Sequence, residues 1–196
     1  MAVPCPKCGW QYDVTLFEFG RTINCACGER VGLEKQINLS PQKELKFFAD
    51  VMLHRLVRLL RALGFDTAWE DAIKDDELVR RSLFEHRHLL TLDRRLSNEW
   101  TVGNILLLES EETREQLRQV VEKYLISRPK ALFTRCMVCN TPLRPARPRE
   151  ISDVPEPIQQ IQSKFLYCSN CSKAYWDGSH TDRMRAVFDS IFKELR

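Results

Sequence analysis

The chain contains no apolar run approaching the roughly 20 residues that a helix needs to cross a bilayer, which excludes a membrane-spanning helix from the reading. Met1 to Gly9 holds two cysteines and two prolines in place of a basic start and an apolar stretch. No secretory leader is therefore read, and a cytoplasmic protein is expected. Histidine is scarce: there are four in 196 residues, and His54, His86 and His88 have no spacing suited to metal ligation. A strong charge of either sign is also missing, the formal net charge being +3. What remains, 43% hydrophobic and 29% charged residues, is ordinary for a soluble globular protein of two or three modules.

Cysteine is the conspicuous surplus. All eight fall into four close pairs, and without an export signal zinc explains them better than four disulfides. Cys136-x2-Cys139 and Cys168-x2-Cys171 are separated by 28 residues. Each knuckle presents two thiolates about 2.3 Å from one ion, and two knuckles complete a tetrahedron with no open position, so this zinc is structural. A thioredoxin-type redox pair would need a surrounding βαβ pattern, and none accompanies these knuckles. The N-terminal set is Cys5-x2-Cys8, then 16 residues, then Cys25-x-Cys27. One intervening residue tightens the second knuckle, and Gly28 lets the backbone turn. Zinc is favoured over free thiols here too, with exchange of ligands between the two sets left open.

The expected organisation is an α/β domain with a short, mainly parallel sheet, flanked by two small zinc-ribbon modules. Residues 1–36 form the N-terminal module, 37–43 a linker, 44–128 the α/β domain, 129–183 the C-terminal ribbon and 184–196 a closing helix. In the first module Tyr12 to Phe19 alternates as a strand does. From Glu44 onward, strands at Leu45–Ala49, Thr67–Trp69, His88–Leu92 and Ile105–Leu108 alternate with helical patterns, as parallel sheets require. Pro142 to Pro157 holds five prolines and reads as an extended excursion. Residues 182–195 carry Met184, Val187, Phe188, Ile191 and Phe192 at helical spacing. Charge is uneven: residues 43–126 carry 14 basic and 16 acidic side chains, and residues 127–196 carry 12 and 7. A basic end permits attraction to a polyanion, although such a surplus is often just solvated surface.

Asp50 ends the first strand and Asp93 the third. Carboxyl ends of parallel strands border the crevice where ligands bind, so both aspartates are expected at one pocket. Asp75, Asp76 and Glu77 open the second helix and can add to it. Clustered carboxylates repel, and a divalent cation between them, Mg²⁺ or Mn²⁺ by its preference for oxygen, relieves the repulsion. The plainer reading is that each aspartate caps the helix that follows. The roles are compatible, since one oxygen can cap and the other can bind metal.

Phe48-Ala49-Asp50-Val51-Met52-Leu53, Leu59-Leu60-Arg61-Ala62-Leu63-Gly64-Phe65-Asp66, Asp75-Asp76-Glu77-Leu78 and Leu89-Leu90-Thr91-Leu92-Asp93 resemble successive motifs of the Mut-seven C-terminal RNase domain family. The resemblance continues through Arg135-Cys136-Met137-Val138-Cys139-Asn140 and Tyr175-Trp176-Asp177-Gly178-Ser179-His180, covering about residues 45 to 184. It implies a PIN-like fold, action on RNA, and an Mg²⁺ or Mn²⁺ site built by Asp50, Asp75 and Asp93, with Asp76 and Glu77 as further catalytic candidates. A fourth acid, which such sites generally use, has candidates in Asp76, Glu77 and Asp71. Arg61, lying in a matched motif, is expected to contact RNA. The family often has an arginine where this chain has Leu92, and Arg94 and Arg95 stand in for it. Arg55 and Arg58 are as well read as a solvated helix face. Tyr175 and Trp176 are read as packing the ribbon against the α/β domain more than as stacking platforms for bases. The N-terminal module lies outside the resemblance and is left as a place for a protein partner. A non-catalytic RNA-binding or adaptor protein with a residual acidic pocket is the rival reading.

Overall fold

The computed structural model describes residues 2–33 and 44–195; the linker expected at 37–43 lies outside the described residues. The chain forms two compact units, residues 1–53 with 69–109 and residues 54–68 with 110–196.

The first unit begins with two antiparallel hairpins. Strand β1 (Ala2–Pro4) pairs with β2 (Gln11–Asp13), and β3 (Thr22–Asn24) with β4 (Arg30–Gly32). Each cysteine knuckle is the turn of one hairpin: the Cys5 amide donates to Trp10 O at 2.8 Å, and the Cys25 amide to Glu29 O at 2.8 Å. The strand expected from Tyr12 to Phe19 stops at Asp13. The Asp13 carboxylate accepts the Thr15 amide at 2.9 Å and the Thr15 hydroxyl at 2.7 Å, which bends the chain into tight turns over Val14–Gly20. Those turns drop Phe17 into a small core with Cys5, Cys25 and Val31. A local side-chain hydrogen bond has overridden the alternating pattern.

The chain then runs through β5 (Lys46–Ala49), α1 (His54–Ala62), β6 (Asp66–Trp69), α2 (Asp75–Phe84), β7 (His88–Thr91), α3 (Arg94–Glu99), β8 (Ile105–Leu107) and α4 (Thr113–Lys123). The sheet order is β6-β5-β7-β8. Strands β5, β7 and β8 are parallel, with Phe48 opposite Leu89 and Leu90 opposite Leu106. Phe47, Phe48, Ala49, Leu89 and Leu90 are fully buried. Their short, unbroken apolar runs reflect cover on both faces. Strands β5 and β7 therefore end side by side, which sets Asp50 and Asp93 at one end of the sheet.

In the second unit, α1 and α4 pack together, and Leu56, Val57 and Leu60 of α1 and Leu117, Val120 and Val121 of α4 are buried. The C-terminal ribbon is a three-stranded antiparallel sheet of β9 (Arg144–Pro145), β10 (Leu166–Cys168) and β11 (Lys173–Tyr175) in the order β11-β10-β9. The proline-rich excursion contains a 3-10 helical turn (Pro148–Ile151) and leads into a short helix, α5 (Glu156–Ile161). Gln159 ties it down by donating to Ile151 O and Val154 O. Helix α6 (Ser179–Glu194) buries Met184, Phe188, Ile191 and Phe192, as their spacing predicts.

Candidate active site and metal centres

The two cysteine tetrads are the only groups of three or more His, Cys, Asp or Glu among the described residues whose ligating atoms all lie within 4.8 Å of one another. Cys5 Sγ is 3.6 Å from Cys27 Sγ, and Cys8 Sγ is 3.5 Å from Cys25 Sγ. The corresponding separations in the ribbon are 3.9 Å for Cys136 and Cys171 and 3.4 Å for Cys139 and Cys168. A tetrahedron with zinc–sulfur bonds of about 2.3 Å has edges of about 3.8 Å, whereas a disulfide needs about 2.05 Å. Both tetrads thus fit structural zinc, each closed within its own module.

Both centres have a tyrosine beside one sulfur. The Tyr175 hydroxyl is 3.0 Å from Cys136 Sγ, and burial together with that sulfur raises it well above the ordinary phenol range. Tyr12 is pushed up to about 12, chiefly by its hydrogen bond to Cys25. Cys25 in turn is lowered to about 6 by the Cys27 amide and the Tyr12 hydroxyl. For Cys139 burial acts upward, but hydrogen bonds from the Thr141 hydroxyl and amide prevail and bring it to about 5. Donors aimed at ligand sulfurs favour the thiolate that zinc requires.

The acidic residues lie in the first unit. Asp50, 7% exposed, accepts the Val51 amide on Oδ1 at 2.6 Å and the buried Thr91 hydroxyl on Oδ2 at 2.6 Å. The Thr91 oxygen also accepts the Asp93 amide at 2.9 Å. One hydroxyl at the end of β7 therefore fixes the backbone of one aspartate and the side chain of the other. Asp93 caps α3 through Oδ1, which accepts the Arg95 amide at 2.7 Å, and its other oxygen points elsewhere. Asp75 does not cap α2: that position belongs to Lys74, which offers no side-chain bond. Asp75 stands in the first turn, half-buried, and its carboxyl is raised by burial and then by repulsion from Asp50 and Asp93. The Arg95 Nη2 atom is 3.9 Å from Asp75 Oδ2 and 3.9 Å from Asp93 Oδ2, so these two oxygens are separated by at most twice that distance.

The sequence-derived candidates separate at this point. Asp50, Asp75 and Asp93 share one electrostatic neighbourhood. Glu77 instead pairs with Arg80 one turn along α2, at 2.5 Å, and Asp76 is exposed beside that pair. Glu99 lies 3.9 Å from Arg95 Nε and adds a smaller repulsion at Asp75, after burial, Asp50 and Asp93. Its i, i+4 spacing from Arg95 is the signal that sequence reading passed over. Arg94 and Arg95 are exposed at the mouth of this group.

Arg61 corrects an expectation. It is 4% exposed, and its guanidinium donates to Thr67 O at 2.9 Å, Met137 O at 3.2 Å and Val138 O at 2.7 Å. Met137 and Val138 form the turn of the first ribbon knuckle, so Arg61 holds that knuckle by its backbone and faces no solvent. The next matched motif does similar work: Asn140 accepts the Thr67 amide and donates to Asp66 Oδ1 at 2.7 Å. Trp176 packs against Phe165 within the ribbon.

A family model described as Mut7-C RNAse domain matches residues 45–188. No curated protein and no solved structure matches the chain.

Proposed function

From the premise that the chain belongs to the Mut7-C RNAse domain family, we propose that it is a metal-dependent ribonuclease whose site is Asp50, Asp75 and Asp93, with Glu99 as the fourth acid. The observation that carries this reading is the placement of Asp50 and Asp93 at the ends of the neighbouring parallel strands β5 and β7, with Arg95 Nη2 3.9 Å from both Asp75 Oδ2 and Asp93 Oδ2; burial first, and then repulsion from Asp50 and Asp93, raises the Asp75 carboxyl. Such repulsion is what a divalent cation relieves. The donor set is all oxygen, which suits Mg²⁺ or Mn²⁺. When bound, such a cation supplies a more acidic water and charge neutralisation at a phosphodiester.

The chain's own residues have separable roles. Thr91 holds Asp50 in one rotamer and anchors the Asp93 backbone. Each Asp50 oxygen spends one lone pair on these bonds and keeps another for ligation. Asp93 divides its oxygens between helix cap and site. Arg95 neutralises the acids in the free protein and, being 72% exposed in its side chain, can turn to an RNA phosphate when a cation takes its place. Arg94 offers a second positive charge beside it.

Arg95 also favours a second reading. A guanidinium among Asp75, Asp93 and Glu99 can act as a permanent counter-ion, leaving an RNA-binding protein that does not cut. Labelled single-stranded and structured RNA, incubated with Mn²⁺ and with EDTA, decides between them. Cleavage that needs Mn²⁺ and is lost in Asp50→Asn/Asp93→Asn supports the nuclease. Cleavage that persists in that double variant overturns the site, and tight binding without cleavage selects the second reading.

A further inference from the structure

The N-terminal zinc module meets α3, the helix whose two ends carry Asp93 and Glu99. Within the first unit Thr22 Oγ1 lies 3.0 Å from Asn98 O and 2.9 Å from Glu99 O. Arg30 Nε donates to the same hydroxyl at 3.0 Å. With an acceptor site of Thr22 filled by Arg30, the single hydroxyl proton is directed to the last carbonyls of α3, which have no partner inside the helix. The Thr101 amide donates to Gly20 O at 2.7 Å. Arg21 forms an antiparallel bridge with Trp100, and its guanidinium lies 5.9 Å from the ring centroid.

The fit is close. Gly20 has φ +80°, and a Cβ there would stand 2.8 Å from Val102 Cγ1 and 3.0 Å from Thr101 O. Across the hairpin, a Cβ on Gly32 would stand 2.5 Å from Thr22 Cγ2. Helix α3 has only six residues, too few to be stable without its ends held. Its N-terminus is capped by Asp93 and its C-terminus by Thr22. Thr22 opens β3, and the turn joining β3 to β4 is the Cys25–Gly28 knuckle itself. About 30 residues around a core of four buried side chains do not hold that hairpin without metal.

We propose that the N-terminal zinc module is a positioning device for the acidic site: zinc at Cys5, Cys8, Cys25 and Cys27 sets the β3–β4 hairpin, and Thr22 fixes α3, thereby placing Asp93 and Glu99. Thr22 is a positioning residue and touches no reacting atom. The consequence for metal binding rests on the ribonuclease reading above; the capping of α3 does not.

Hydrogen exchange read residue by residue on the full zinc-loaded chain tests the proposal. In Thr22→Val the amides of Ser97, Trp100 and Thr101 should exchange about 10-fold faster than in the native chain, from loss of one buried cap. Thr22→Ser should restore native protection. Cys8→Ser, which removes a zinc ligand, should accelerate the same amides while β7 stays protected. A parallel Mn²⁺ titration should show affinity reduced about 10-fold in Thr22→Val and recovered in Thr22→Ser, a split that general destabilisation would not give. Unchanged exchange in Thr22→Val overturns the proposal, and unchanged exchange in Cys8→Ser overturns its zinc part. Faster exchange in both, in a protein that never binds Mn²⁺, upholds the cap and sinks the nuclease reading instead.

Discussion

In the proposed site, Asp75 carries a cost to the fold. A carboxyl whose proton affinity is raised in the folded state binds its proton more tightly folded than unfolded, so its contribution turns unfavourable as pH rises above the ordinary aspartate range. Its side chain is 41% exposed, and solvent screening keeps the effect small. Asp75→Asn is expected to stabilise the metal-free protein by about 0.5 kcal/mol at neutral pH, roughly 1–2 °C in melting temperature. The gain should vanish below about pH 3.5, where the carboxyl is neutral in both states, and calorimetry at two pH values checks it. Arg61 behaves in the opposite sense. Its removal leaves three carbonyls of the second unit without their donor, so Arg61→Ala should lose about 2–3 kcal/mol in urea unfolding of the zinc-loaded protein. Arg61→Lys should not rescue it, because an ammonium lacks the planar fork. The burial of Arg61 has a signal in the sequence: it follows Val57 by four residues and so shares the buried face of α1.

The strands, the helices after them and the closing amphipathic helix were readable because apolar periodicity and helix caps are local signals. The Tyr12–Phe19 segment was not, because one carboxylate, Asp13, outcompetes an alternating pattern through bonds to Thr15. For Glu99 the sequence offers only the i, i+4 spacing that links it to Arg95; its influence on Asp75 depends on how α3 lies beside β8 and β3, which is tertiary information. The ribbon offers an independent test among the elements: Cys168→Ser should remove one zinc per chain. It should also expose the amides of β10 and β11 to exchange, while those of β5 and β7 keep their protection. Metal analysis with hydrogen exchange reads both.

Across the whole molecule, a chain of 196 residues places all eight of its cysteines in two closed tetrads, one in each zinc module. Spacing made the C-terminal tetrad readable; for the N-terminal set, whose second knuckle has one intervening residue, the fold decided that no ligand is exchanged between the two sets. Asp50 and Asp93 were readable at strand ends and Asp75, Asp76 and Glu77 at the start of a helix, whereas the pairing of Glu77 with Arg80 and the exposure of Asp76 required the fold. The described residues hold no helix long and apolar enough to cross a membrane, in keeping with the absence of long apolar runs. The nuclease reading requires that Asp50, Asp75 and Asp93 form one divalent-cation site, and electron paramagnetic resonance of Mn²⁺ added to the zinc-loaded protein measures it. One or two bound ions per chain are expected, lost in Asp50→Asn/Asp93→Asn with both zinc ions retained; bound Mn²⁺ that survives in that double variant would show that these acids do not hold it.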